Sequence, residues 1–131
     1  MGILEKMRAM SQAVSAKGRG DAAEDVALAH LQKFGLKLLD RNYRTPGRGG
    51  GEIDLVMREA DGTVVFVEVR SRASGDYGGA GASIGIGKQR RIVFAARHYL
   101  MDWPAPPPCR FDAVLLDGAQ VQWFRAAFGA D

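Results

Sequence analysis

Cysteine is nearly absent from this chain: Cys109 is the only one among 131 residues. No internal disulfide can form, which points to a reducing compartment. Histidine is almost as scarce. His30 and His98 are the only two, each alone on a helical stretch with no cysteine beside it, so neither is a zinc-ligand candidate. No Ser/His/Asp arrangement suited to nucleophilic catalysis stands out. Long apolar runs are also missing, which excludes a transmembrane helix. Glu5, Lys6 and Arg8 interrupt the opening residues, so they do not read as a secretory signal. Met1-Gly2 could open a myristoylation signal, but Lys6 stands where Ser or Thr is needed. A cytoplasmic protein with no membrane attachment is the expectation.

What is there is one domain's worth of chain, long enough to bury a core unaided. The formal net charge is +3. Its distribution weakens a simple polyanion-binding reading. The chain has 18 basic and 15 acidic side chains, and residues 1–20 hold four of the former and one of the latter. That leaves 14 of each sign in residues 21–131. The excess sits in a basic arm, and the domain beyond it is neutral overall. Between Arg41 and Arg97, however, ten basic residues accompany six acidic ones.

Residues 1–20 read as a mobile or weakly helical arm, and residues 21–128 as the folded domain. Ala23, Ala27, Leu31 and Phe34 recur at helical spacing, with Asp21 placed to cap the start and Gly35 to end the helix. Leu36 to Tyr43 reads as a strand. Thr45 to Gly51, with Pro46 and four glycines, is a loop. Those glycines do not make a nucleotide-binding fingerprint, since no helix follows them. Residues 73–87 hold six glycines and are expected to form a flexible loop, with residues 75–87 the most mobile part of the domain. A second helix follows from about Lys88 to Met101, then strands at Arg110 to Leu116 and Val121 to Phe124. The order is α-β-β-β-α-β-β: an α/β domain with a mixed sheet flanked by helices, and a right-handed crossover around the second helix.

The segment from Gly51 to Arg72 alternates on both sides of Ala60-Asp61-Gly62 and reads as a β-hairpin. A three-residue loop with Gly62 left-handed pairs Glu59 with Thr63. Ile53, Leu55 and Met57 then fall opposite Val69, Val67 and Val65 on one apolar face. A two-residue loop would scramble that face. The other face holds Asp54, Val56, Arg58, Val64, Phe66, Glu68 and Arg70. Asp54 is thereby expected directly across from Glu68, about 5 Å away between Cβ atoms.

Two facing carboxylates repel, so a cation is wanted between them. Arg70 could supply it, as could Mg²⁺, which accepts one or two carboxylates with waters and phosphate oxygens. On pattern alone the bland account, an Asp–Arg–Glu surface network, is the stronger one. Glu52, on the same face, reads as a solvated strand end. Glu24 has capping-box spacing from Asp21. Lys88, Arg90, Arg91 and Arg97 lie at or near the second helix, where they read either as an exposed face or as phosphate contacts.

At Gly51-Glu52-Ile53-Asp54 and Phe66-Val67-Glu68-Val69-Arg70 the chain resembles the YraN-like family of small uncharacterised bacterial proteins. The resemblance extends to Gly20 and Glu24, Arg41-Asn42, Lys88 through Ala96, and Arg110-Phe111-Asp112. That family is similar to restriction-endonuclease-like nucleases and archaeal-type Holliday-junction resolvases, whose motif is an acid on one strand and Glu-x-Lys on the next. The resemblance implies a restriction-endonuclease-like fold. It also implies a catalytic set of Glu24, Asp54, Glu68 and Arg70, with Mg²⁺ or Mn²⁺ on Asp54 and Glu68 and no small-molecule cofactor. DNA would contact Arg72, Lys88, Arg90 and Arg91, and a homodimer is implied by the resolvases. The departure is Arg70 where the motif has lysine. Arginine stays charged and cannot act as a general base; Lys88 or Gln89 would have to position the water.

Three functions follow from these readings. The first is a metal-dependent endonuclease on DNA, including branched or damaged DNA. The second is a nucleic-acid-binding module that keeps the fold without hydrolysis. The third is a protein-interaction domain. Metal binding separates the first from the others, and salt-sensitive DNA affinity separates the second from the third.

Overall fold

The computed structural model describes residues 21–71 and 84–130. The basic arm at 1–20, Arg72 and most of the glycine loop expected to be mobile lie outside the described residues. Within them, the first helix, α1, covers residues 21–33. Its apolar stripe turns Ala27 and Leu31 fully into the core, as helical periodicity requires. Asp21 is already helical, so it is not the N-cap expected from the sequence, and the capping box with Glu24 loses its first member. The far end matches expectation. Gly35 has φ 89°, its N–H donates to Gln32 O at 3.0 Å, and Leu36 N–H donates to Leu31 O at 3.3 Å. This is a Schellman stop, which needs the left-handed backbone that glycine adopts without strain.

Five strands follow: β1 (Lys37–Arg44), β2 (Glu52–Arg58), β3 (Val64–Ser71), β4 (Cys109–Asp117) and β5 (Gln120–Phe128), with the second helix, α2 (Ile86–Leu100), between β3 and β4. They form one sheet in the order β1-β2-β3-β4-β5. Only β3 and β4 run parallel; the other neighbours are antiparallel. A parallel pair needs a crossover, and α2 supplies it. This is the mixed α/β architecture and element order read from the sequence. β5 is longer than expected, and α2 begins two residues before Lys88.

The helices cover opposite faces. Ala23, Ala27 and Leu31 of α1 pack with Leu55, Met57, Val65, Val67 and Val114. Ile92, Ala95 and Ala96 of α2 pack with Val56, Val64, Phe66 and Phe111. With both faces buried, β3 reads as a nearly unbroken apolar run, as an internal strand should.

The hairpin turn is the three-residue one. Glu59 N–H donates to Thr63 O and Gly62 N–H to Glu59 O, both at 2.9 Å, with Gly62 at φ 95°. Leu55 pairs with Val67, Val56 with Phe66 and Met57 with Val65, the expected register. Two details differ. The ladder between β2 and β3 stops at Leu55 and Val67, one step before Asp54 and Glu68 would pair. Ile53 then packs with the α2 cluster rather than sharing the face of Leu55 and Met57. At this level Asn42 of β1 has φ 54°, and neither Asn42 nor Asp54 has a partner in the β1–β2 register. Strict alternation is thus broken on both strands at once. β2 stays with β1, β3 stays with β4 as far as Ser71 and Leu116, and a fork opens between them.

On the β4–β5 side a single carboxylate organises another irregularity. Asp112 has no exposed surface. It accepts from Arg110 Nε at 3.0 Å, Trp123 Nε1 at 2.9 Å and Ala126 N at 2.9 Å. Ala126 is left-handed, at φ 51°, where the register slips between Phe111 and Ala113. Arg110 reaches on to Glu59 at 2.6 Å, tying the bulge to the hairpin turn.

Candidate active site

The fork is where the acidic residues gather. Asp54 Oδ2 accepts the N–H of Val69 at 2.8 Å. A side chain therefore takes the place that a β2 main-chain acceptor would hold had the ladder continued, and this relieves the direct opposition of two like charges. Glu68 lies one residue back on β3, 6% exposed. The two carboxylates interact: burial first, then hydrogen bonding and repulsion from Glu68, push the Asp54 pKa up to about 8, against smaller opposing pulls from Val69 N–H and Lys88. Glu24, 8% exposed, approaches from α1. Its pKa is raised by burial and by Asp54 and held back by Arg41 and Asn42. Arg41 Nε lies 3.3 Å from Glu24 Oε1, and the same guanidinium reaches Asp25 at 2.7 Å and the Asp21 carbonyl at 3.1 Å. Glu24 is thus turned to the sheet and held by β1.

Two cations reach Glu68. Lys88, in the first turn of α2, places Nζ 3.4 Å from Oε2. Arg70, two along the same strand, places its guanidinium 3.9 Å away. Lysine from the helix is nearer to the glutamate than arginine from the strand. Neither makes a hydrogen bond to that oxygen, which is buried and has no hydrogen-bond partner among the described residues. Gln89 is committed elsewhere: its amide donates to Ile84 O at 2.7 Å, which leaves Lys88 as the α2 side chain at the pair. Arg91 lies on the Lys88 side of the helix, facing the glycine turn. Arg90 lines a different cleft with Arg97 and Phe94. Glu52 lies at the strand end, as the sequence suggested, but is paired there with Arg44 at 3.5 Å rather than simply solvated. Arg72 lies outside the described residues.

Sequence reasoning missed two things here. One is the fork, whose only local sign is Asn42, a residue that tolerates the left-handed backbone. The other is how close Lys88 comes to Glu68, which depends on how α2 seats on the sheet.

The fit of a divalent cation can be judged from these atoms. Among the described residues, no three His, Cys, Asp or Glu side chains converge to hold an ion. Glu24 therefore does not join the pair as a third ligand. Two carboxylates with one orphaned buried oxygen do suit a hard cation that completes its shell with waters and phosphate oxygens, as Mg²⁺ and Mn²⁺ do. They do not suit a closed tetrahedral zinc site.

Uncharacterised protein family UPF0102 matches residues 23–116, a span that holds Glu24, the fork and Lys88. The chain belongs to that family. A UPF0102 protein of Paracidovorax citrulli is 69% identical over 99% of both chains. One from Acidovorax sp. strain JS42 is 65% identical over 99% of both. One from Albidiferax ferrireducens is 65% identical over 92% of this chain and 94% of its own. Among solved structures, SSO0001 is 16% identical, with a TM-score of 0.41, and is matched over 93% of this chain and 57% of that one. Among the described residues of this UPF0102 protein, no helix is long and apolar enough to cross a membrane.

Proposed function

We propose that this UPF0102 protein is a metal-dependent endonuclease on DNA. The observation that carries the reading is the pair of half-buried Asp54 and buried Glu68 at an opening in the sheet, with a Glu68 oxygen that faces a lysine and has no hydrogen-bond partner among the described residues. That oxygen has ion-pair neighbours in Lys88 and Arg70 but no hydrogen bond among the described residues, which leaves it a lone pair for a ligand. Asp54 and Glu68 would hold the cation. When bound there, it supplies charge to a scissile phosphate and lowers the pKa of a water. The protein's own side chains do the rest. Lys88 offers a compact ammonium beside Glu68, where it can hold a phosphoryl oxygen or orient a water. Arg70 is a permanent charge on the same side, suited to stabilising a developing negative charge. Glu24, buried and held by Arg41 at the edge of the site, is a carboxyl whose pKa burial and Asp54 raise. The resemblance to restriction-endonuclease-like and resolvase proteins makes DNA, branched or damaged forms included, the substrate class to test first.

The test is cleavage of linear, nicked, flapped and four-way DNA with Mg²⁺ or Mn²⁺. Expected is metal-dependent cutting that is lost in Asp54→Asn and Glu68→Gln. Absence of cutting on every substrate, with salt-sensitive DNA binding retained, would leave the module reading; absence of binding as well would leave the protein-interaction reading.

A further inference from the structure

Beside the acidic pair lies a second cleft, of about 360 Å³, between the glycine turn and the start of α2. It differs in chemistry from the carboxylate site. Arg44, Lys88 and Arg91 line it against one carboxylate, Glu52. Glu52 pairs with Arg44 at 3.5 Å, and Lys88 faces Glu68. Arg91 makes no ion pair among the described residues. The remaining wall is backbone. A Cβ on Gly51 would stand 1.9 Å from the Arg91 carbonyl oxygen, and one on Gly50 would stand 1.9 Å from Thr45 Oγ1. Only glycine lets the turn lie this flat against the helix. Thr45 closes the turn: its N–H donates to Gly51 O at 3.1 Å, and its hydroxyl accepts from Gly51 N at 2.8 Å. The N–H groups of Gly47, Gly49 and Gly50 reach no backbone acceptor among the described residues. Gly47 and Gly49 have φ of 84° and 73°, the left-handed backbone from which anion-binding nests are built.

We propose that this cleft is a phosphate-binding pocket, which takes a phosphate of the nucleic-acid strand next to the one presented to Asp54 and Glu68. N–H groups without a backbone acceptor and a cation without an ion pair, both among the described residues, are the two donors a phosphate monoanion satisfies together. Lys88 belongs to both sites, so the pocket would fix the register of the strand relative to the acidic pair. The source of the phosphate rests on the nuclease reading; the anion chemistry of the pocket does not.

The test is a backbone amide NMR titration of the full ¹⁵N-labelled chain in EDTA, so that no cleavage occurs. The probes are inorganic phosphate and a short single-stranded oligonucleotide with and without a 5′-phosphate. Expected are saturable shifts at Gly47, Gly49 and Gly50 with all three, tighter for the oligonucleotides. Arg91→Ala should weaken each by about tenfold and lower the salt slope of oligonucleotide binding by about 0.7. Arg91→Lys should recover part of the loss, and Arg58→Ala, at the far end of β2, should change nothing. Inorganic phosphate at the glycines without oligonucleotide would overturn the strand as source. A 5′-phosphate requirement would replace an internal phosphate with a terminal one. Oligonucleotide shifts that avoid the glycines, or none with any probe, would overturn the pocket, whatever the cleavage assay shows. Glycine shifts without Mg²⁺-dependent cleavage would uphold the pocket and count against the nuclease.

Discussion

Asp54→Asn is expected to stabilise the protein, by an amount that grows with pH. Burial and the Glu68 carboxylate raise the Asp54 pKa from 3.8 to about 8. The folded state therefore favours the protonated side chain, whereas the unfolded chain ionises it freely. Stability tied to this group is fully present below about pH 4 and is lost as the pH rises toward about 8. At roughly 1.4 kcal/mol per tenfold change, the limit near pH 7 is about 4 kcal/mol. Water at the open mouth of the fork screens part of this, so a gain of about 2 kcal/mol is expected. Asparagine keeps an oxygen for the Val69 N–H and gains an amide that can donate to Glu68, so the fold has no reason to shift. Urea-unfolding midpoints should coincide for the two proteins near pH 4 and separate progressively toward pH 8. A difference that stays flat across that range, or an asparagine variant less stable at pH 8, would refute the argument. The same pair gives a metal readout without turnover: Mg²⁺ should raise the wild-type midpoint near pH 8 and leave the variant unmoved, because only the wild type gains a ligand on folding.

Asp112→Ala removes the acceptor for Arg110, Trp123 and Ala126 and should cost about 3–5 kcal/mol, read as a lower denaturant midpoint with loss of the Trp123 environment in near-UV spectra. Arg41→Met strips the cation from Glu24, whose pKa is already raised by burial; the loss should be about 2 kcal/mol near neutral pH and should shrink as the pH falls and the carboxyl takes up its proton, so a loss independent of pH would count against the buried-carboxylate account. Lys88→Met should reduce any metal-dependent cleavage by about 10²–10³-fold with little change in unfolding midpoint. Arg70→Lys should keep or raise that cleavage, because the charge beside Glu68 is retained and the replacement is the residue that related sites use.

Much of the sheet was legible because its signals are local. Alternation on both sides of Ala60-Asp61-Gly62, with a glycine where a left-handed residue is needed, fixes the hairpin register that Leu55 and Val67 display. Gly35 announces the end of α1 for the same conformational reason. The misreadings have a common cause. The sequence pattern continues through Ile53, Asp54 and Glu68 as if the ladder did, and the one local sign of a break, Asn42, lies on the neighbouring strand β1. What parts them is an exchange of partners, with the Asp54 carboxylate taking the Val69 N–H. Asp21 failed as a cap because Asp-x-x-Glu spacing fits both a helix start and a helix interior. The Asp112 network was invisible because only Arg110 is local to it, while Trp123 and Ala126 come from the neighbouring strand β5.

The lysine follows the same logic. From the sequence, Arg70 looks like a defect in Glu-x-Lys, because the motif is defined along one strand. The chemistry of the proposed nuclease would be defined in space, by a cation that stands at the glutamate oxygen and is compact enough to leave room for a water. Lys88 meets that requirement from another element, with Nζ 3.4 Å from Glu68 Oε2 against 3.9 Å for Arg70. Its backbone is placed by the burial of Ile92, Ala95 and Ala96 against the sheet and by the Gly51 contact on Arg91, which together fix how α2 sits over β3. With a helix lysine in position, the strand residue is free to become an arginine, whose delocalised charge is costlier to neutralise and better suited to holding a phosphate oxygen than to moving a proton. In the proposed nuclease the pair would divide between two side chains what one lysine does in the strand motif: a mobile ammonium near the water, and a fixed charge near the phosphate.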